Sequence, residues 1–237
     1  MKEIQRQLQE SAQSYDIFLD RQMADRFQKY MELLLQWNEK MNLTAITDPD
    51  AVVCRHFLDS LLLLKTADLP QGSSLIDVGT GAGFPGIPIK IARPDLRLTL
   101  LDSLAKRLNF LGEVCSCLGL EVPRVHARAE EGGRQPALRD QFDAACARAV
   151  APLNLLCEYC LPFVRPGGAF YSMKGPDVEE EISQAQNALK CLGAEVESIR
   201  KFTLQDQSGR TILVIRKKGI TPEQYPRHGS KIAKKPL

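Results

Sequence analysis

The sequence predicts an α/β protein: a mostly parallel, seven-stranded sheet that ends in an antiparallel hairpin and follows a helical extension. Three observations carry this. Apolar residues in the first seventy or so positions recur at helical spacing. From Ser74 onward, short apolar runs alternate with helical stretches of about ten to fifteen residues, as βαβ units require. The last two β-rich runs are only about eight residues apart, too close for a parallel crossover.

In chain order, residues 1–70 read as a helical region packed on the core. Phe27, Tyr30, Met31, Leu34, Trp37 and Met41 form one apolar stripe at i, i+3, i+4, i+7 spacing, and Trp37 on that stripe is read as core. Asp48-Pro49 is an N-cap followed by proline at the first helical position, opening a helix through Leu64. Its face of Val53, Phe57, Leu61 and Leu64 should point inward. Strands are expected at 74–78, 97–102, 124–127, 142–147 and 168–173, then a helix near 178–191, then the hairpin of 194–202 and 210–217. The connection through "GGRQPALRD" shows the weakest helical pattern. The main domain should cover 71–218, and 219–237 forms a basic C-terminal tail.

A chain of 237 residues can bury one large core. Its longest leucine run, Leu61 to Leu64, is far too short to span a bilayer, and "MKEIQRQLQESAQ" lacks the apolar core of a secretory signal. A cytosolic protein is therefore expected. The seven cysteines do not suit a disulfide framework. "CEYC" lacks the second ligand pair that zinc needs, so Cys157 and Cys160 are read as buried packing and no metal is expected.

The net charge of +2 conceals an asymmetry. From Arg216 to the end there are seven Lys/Arg and one acid, so a +6 tail follows a body of −4. Such a tail points to a polyanionic partner.

The stretch "LIDVGTGAGFPGIP" holds the chemistry. A strand runs into Gly79, Gly81 and Gly83, and Phe84-Pro85 opens the next helix. Glycines serve where the backbone takes positive φ or where a ligand leaves no room for Cβ. About twenty residues on, Asp102 ends the second strand, where a carboxylate can accept from both ribose hydroxyls of an adenosine. It can also cap the helix that starts near Leu104. Loop and acid together indicate an adenosine cofactor without choosing between NAD and S-adenosylmethionine.

Three features favour S-adenosylmethionine. The spacing is Gly-x-Gly-x-Gly, not the Gly-x-Gly-x-x-Gly of dinucleotide sites. Pro85 and Pro88 remove two N–H donors from the helix start that would hold a pyrophosphate. The terminal hairpin also differs from the six parallel strands of a dehydrogenase.

"DVGTGAGFPGIP", "LLDSLAKR", "ARAEE", "CARAV" and "PRHGSKIAKKPL", with "WNEKMNLTAIT" and "HFLDSLLLL" upstream, occur in order over nearly the whole chain. In these motifs the sequence resembles the bacterial ribosomal RNA small-subunit methyltransferase G family, also called glucose-inhibited division protein B. The resemblance implies a class I S-adenosylmethionine-dependent methyltransferase fold, which is Rossmann-like, and methylation of N7 of one guanine in 16S ribosomal RNA. The partner would be that RNA in the small subunit or its precursor, and the protein a monomer. The implied cofactor set is Gly79, Gly81, Gly83, Phe84, Asp102, Ser103, Leu104, Ala129, Glu130 and Arg148. The implied RNA set is Lys174, Arg227, Lys231, Lys234 and Lys235. The tail departs from the family's usual paired arginines, with His228 following Arg227.

Guanine N7 carries a lone pair and no proton, so its methylation needs alignment rather than a general base, and no catalytic side chain is expected. Arg148 could hold either the methionine carboxylate or the guanine. His56 and Asp59, one turn apart in "HFLDS", are read as helix packing, with the imidazole bonded to a backbone carbonyl. Pro222, Pro226 and Pro236 disfavour a regular helix in the tail, whose charge is better explained by phosphate contact. Two other classes stay open: an NAD-dependent oxidoreductase, and a non-enzymatic RNA-binding assembly factor with a vestigial pocket.

Overall fold

The computed structural model describes residues 2–148 and 151–237; Ala149 and Val150, at the end of the "CARAV" motif, lie outside the described residues. The N-terminal region is helical, as its periodicity requires. Helices run over Lys2–Gln13 and Arg21–Asn38, the second capped by the Asp20 carboxylate, which accepts from the Met23 N–H at 2.7 Å. Asp48 caps the next helix by accepting from the Ala51 N–H, with Pro49 in its first turn. This helix is not uniform. It is α over Pro49–Val52, widens to a π-turn over Val53–Leu58, and ends through Asp59–Leu61 in a 3₁₀ turn, Leu62–Lys65. Such π-turns are commonly found where a helix serves a site, and this one carries Arg55 and His56.

Among the described residues seven strands form one sheet: β1 Ser74–Val78, β2 Arg97–Asp102, β3 Arg124–His126, β4 Phe142–Arg148, β5 Val164–Lys174, β6 Ala194–Thr203 and β7 Gly209–Lys217. Their order is β3-β2-β1-β4-β5-β7-β6, parallel from β3 to β5, with β7 antiparallel to both β5 and β6. The weak third connection holds only a short helix, Ala129–Gly132, before turns lead to β4. The chain winds away from β1 toward β3 on one side and from β4 outward on the other. The β1/β4 border is therefore the switch point, where such sheets bind ligands at the carboxyl ends of their strands.

Both sheet faces are covered. On one, Phe27, Tyr30, Leu34, Phe57 and Leu61 of the N-terminal helices share a core with Phe110 and Leu111 of the helix Ala105–Leu118. On the other, Leu153, Leu156, Cys157 and Cys160 pack with Leu189 and with the inner residues of β4 and β5. Cys157 and Cys160 are fully buried, and that burial pushes the Cys157 thiol up to about 12.

The tail departs from expectation. It is tied to the domain and ends in a helix, Gly229–Lys234, which begins beyond Pro226 and stops before Pro236. Arg139 donates to the Thr221 and Tyr225 carbonyls at 2.7 and 2.8 Å, and Ile232 is wholly buried. Prolines outside a helix do not oppose it; they set where it starts and ends.

Candidate cofactor site

The turn after β1 takes its shape from backbone conformation and two buried carboxylates. Gly79, Gly81 and Gly83 have φ of +71°, +60° and +101°, a region costly to residues with a Cβ. Asp77 accepts from the Thr80 hydroxyl at 2.7 Å and the Gly86 N–H at 2.9 Å, tying the turn to the start of the helix Gly86–Ala92. Its burial raises the carboxyl pKa to about 6 against those stabilising bonds. Asp102 accepts from the Gly81 N–H and, with its other oxygen, from the Leu104 N–H, both at 2.9 Å. It thus caps the following helix and also holds the glycine turn. From below, the buried Tyr30 hydroxyl donates to the Ala82 carbonyl at 2.5 Å.

The glycines differ in purpose. A Cβ on Gly83 would lie 2.5 Å from the Tyr30 hydroxyl and 2.7 Å from Leu111 Cδ2, so that position is closed by packing. A Cβ on Gly81 would meet nothing nearer than the Gly79 carbonyl at 4.0 Å. Its open side faces a cavity of about 440 Å³ over the ends of β1, β2 and β4. Gly79, Gly81, Phe84, Asp102, Ser103, Ala129, Glu130 and Arg148 all line this cavity. Gly83 lies beneath the turn, and Leu104 is half exposed beside the cavity, with its N–H turned to Asp102. The sequence reading had not placed Thr44, Arg107, Arg128 or Tyr159 at the cavity, yet all four line it.

His56 lines it too, and the expectation for its partners was wrong. Its Nε2 pairs with the Thr44 hydroxyl at 2.8 Å and its Nδ1 with the Arg148 guanidinium at 3.2 Å, not with a carbonyl. The imidazole stacks on Phe84, with ring centres 4.5 Å apart and planes 17° from parallel. Burial, aided by the Arg148 charge, lowers its pKa to about 3, so the ring is neutral and Nδ1 accepts from the guanidinium. Arg148 also donates to Asp59 at 2.8 Å, and Arg210 reaches the other Asp59 oxygen at 3.1 Å.

Comparison with known proteins gives this geometry its context. The family profile described as "GidB: rRNA small subunit methyltransferase G" matches residues 23–210. The chain belongs to this family. It is 49% identical to the "Ribosomal RNA small subunit methyltransferase G" of Alkaliphilus metalliredigens over 97% of both chains, and 48% identical to that of Thermoanaerobacter sp. (strain X514) over 96% of both. Among solved structures it is similar in fold to a putative methyltransferase from Bacillus halodurans, with a TM-score of 0.55 and 14% identity. That match covers 68% of this chain and 99% of the other. A P. horikoshii TYW2 structure matches at a TM-score of 0.53 and 13% identity, covering 68% of this chain and 62% of that one.

As a GidB-family protein the chain is an S-adenosylmethionine-dependent methyltransferase on a class I fold. The residues present fit that cofactor. Gly81 leaves the cavity wall open where any side chain would fill it. Asp102 Oδ1, which accepts only from the Leu104 N–H, retains a further lone pair, while Oδ2 accepts from the Gly81 N–H and meets the Arg107 guanidinium at 3.5 Å.

Two GidB-family residues expected at RNA are engaged elsewhere. Lys174 bonds Glu181 and the Ala151 carbonyl, both at 2.7 Å, and its side chain is 10% exposed. Arg227 forks onto the fully buried Glu158, with Nε and Nη2 at 2.9 and 2.7 Å, while its own N–H donates to the same carboxylate. Both cations are thus paired within the protein, and Lys174 at the same time lines a cleft beside the cofactor cavity. Lys231, Lys234 and Lys235 are exposed on the terminal helix and just after it.

Proposed function

We propose that the chain transfers the methyl group of S-adenosylmethionine to N7 of a guanine in 16S ribosomal RNA, in the small subunit or its precursor. The observation that carries this reading is a junction of two clefts. The cofactor cavity shares His56 and Arg148 with a second cleft of about 460 Å³, which is lined also by Arg55, Asp59, Met173, Lys174 and Arg210. A methyl donor in one and a base in the other would meet at the Phe84–His56–Arg148 stack.

When bound, the cofactor supplies a methyl already activated on a sulfonium. Guanine N7 uses its lone pair to form the new bond as the sulfur–carbon bond breaks, and no proton has to leave. The site agrees with that demand. Its imidazole has a pKa near 3 and is no proton acceptor at neutral pH. The chain's work is to bind, align and exclude water, which can supply most of the barrier reduction. Because N7 must face the methyl, arginine donors from the second cleft would hold the guanine through O6. In this reading Gly79, Gly81, Phe84, Asp102, Ser103, Leu104, Ala129, Glu130 and Arg148 hold the cofactor. Lys231, Lys234 and Lys235 hold phosphate.

The test is transfer of labelled methyl from S-adenosylmethionine to ribosomal RNA from a strain lacking the gene, followed by mapping of the modified base. Label at N7 of one guanine in the small-subunit RNA is expected. Label on another atom or another RNA, or protection of the protein by NAD equal to that by S-adenosylhomocysteine, would overturn the reading.

A further inference from the structure

The short helix Ala129–Gly132 forms one wall of the cofactor cavity and carries Glu130, which lines it. The C-terminal strap, 219–237, packs against this helix from outside. Arg139 donates through Nη1 to the Gly133 carbonyl just after the helix at 3.0 Å, and to the Tyr225 carbonyl in the strap at 2.8 Å. Gly133 lies against Pro226 and Pro162, where a Cβ would come within 3.2 Å of the Pro226 ring. Two residues beyond Arg227 and its buried Glu158 anchor, Gly229 sits directly on the Glu130 carboxylate. Tyr159, the neighbour of Glu158, lines the same cavity.

We infer that the C-terminal strap is a positioning element of the cofactor site: Gly229, held by the Arg227–Glu158 fork, fixes the Glu130 carboxylate and so sets cofactor affinity. The inference rests on the proposal that Glu130 contacts the cofactor. Gly229 does not have positive φ, and the only close atoms a Cβ there would meet belong to the Glu130 side chain. A methyl at this position is therefore tolerated by the backbone and displaces one flexible carboxylate. It tests position without dismantling the fold. A strap that served stability alone would not need to leave room for the carboxylate of a cavity-lining residue at Gly229.

The experiment measures S-adenosylhomocysteine affinity by calorimetry on the full chain in four forms: wild type, Gly229→Ala, Glu130→Ala and the double variant. Melting temperatures confirm that each is folded. Gly229→Ala should weaken binding by about tenfold, while in the Glu130→Ala background the same change should matter by less than about twofold, because the pair acts as one unit. The KM for S-adenosylmethionine should rise with kcat retained at saturation, since only binding is lost. Arg227→Ala should act in the same direction as Gly229→Ala, and Arg227→Lys should restore part of the affinity. If Glu130→Ala leaves affinity unchanged, the cofactor role of Glu130 fails and the inference with it. If Glu130→Ala weakens binding but Gly229→Ala does not, or if the two changes simply add, the strap has no part in positioning Glu130 and the inference alone is overturned.

Discussion

Arg148 places its guanidinium carbon 4.9 Å from the centre of the Phe84 ring, and the same guanidinium bonds Asp59 and His56. Three distant parts of the sequence are thereby joined: the glycine turn, the end of β4 and the π-turn of the N-terminal helix. A shift of the glycine turn would therefore disturb the Phe84–Arg148 contact and, through it, a buried ion pair.

Asp59 forms ion pairs with both Arg148 and Arg210. Its side chain is 7% exposed. Asp59→Ala leaves two guanidinium groups without their counter-charge, and a broken buried pair of this kind costs about 3 kcal/mol or more. The melting temperature should fall by about 6–12 °C for a chain of this size. Affinity for S-adenosylhomocysteine should fall too, as Arg148 loses its orientation. A thermal melt and a binding isotherm on the same sample check both.

The pH dependence of stability has two opposed contributions. His56 has its folded pKa lowered from 6.5 to about 3, so the unfolded chain binds its proton first. Its contribution is full above pH 6.5 and is lost as pH falls toward 3. Asp77 has its pKa raised from 3.8 to about 6, so the folded chain protonates first and gains stability as pH falls through that window. Between about pH 4 and 6 the two nearly cancel. His56→Gln should therefore become more stable relative to wild type as pH falls, by up to about 1.4 kcal/mol per pH unit. Asp77→Asn should show the reverse slope. Denaturant midpoints at several pH values read the slopes directly.

The glycine turn was legible in the sequence because its requirements are local: positive φ, a preceding strand, and an acid at the next strand end. The parallel strands and the terminal hairpin followed from spacing; the order in which the strands lie in the sheet did not, because spacing along the chain does not say which strands pair. Asp77 and Tyr30 were missed as builders of the turn, since one looks like any strand residue and the other like any apolar stripe residue. His56 was misread because its partner Arg148 lies 92 positions away. The tail was misread for a similar reason. Seen as charge, Arg227 and Lys231 are alike; only the fold reveals that one meets a buried carboxylate 69 positions upstream. The helix Gly229–Lys234 was overlooked because prolines were counted without regard to where they stand.

Gly81 and Gly83 should separate under substitution. Gly83→Ala meets both positive φ and the Tyr30 and Leu111 side chains, so overpacking adds to backbone strain. A loss of about 2–4 kcal/mol in stability is expected. Gly81→Ala has free space and should cost only about 1–2 kcal/mol, from backbone conformation. Its effect on the cofactor should be the larger, because its methyl projects into the cavity. Denaturation curves and S-adenosylhomocysteine titrations of both variants should rank them in opposite orders.

The strap divides into a part that serves the fold and a part that faces solvent, and the two should respond differently. Deleting residues after Lys218 removes Arg227 from buried Glu158 and exposes the surface that Ile232 covers. Thermal stability and cofactor affinity should then fall together. Replacing Lys231, Lys234 and Lys235 by Gln touches no ion pair among the described residues and leaves Ile232 in place. Stability and cofactor affinity should hold, while RNA binding weakens. Each phosphate neutralised on single-stranded RNA contributes about −0.7 to the slope of log affinity against log salt. The triple variant should therefore flatten that slope by about 2 if all three lysines contact phosphate. Filter binding of 16S ribosomal RNA across a salt series decides it. An unchanged slope with unchanged affinity would assign the RNA contact to another face.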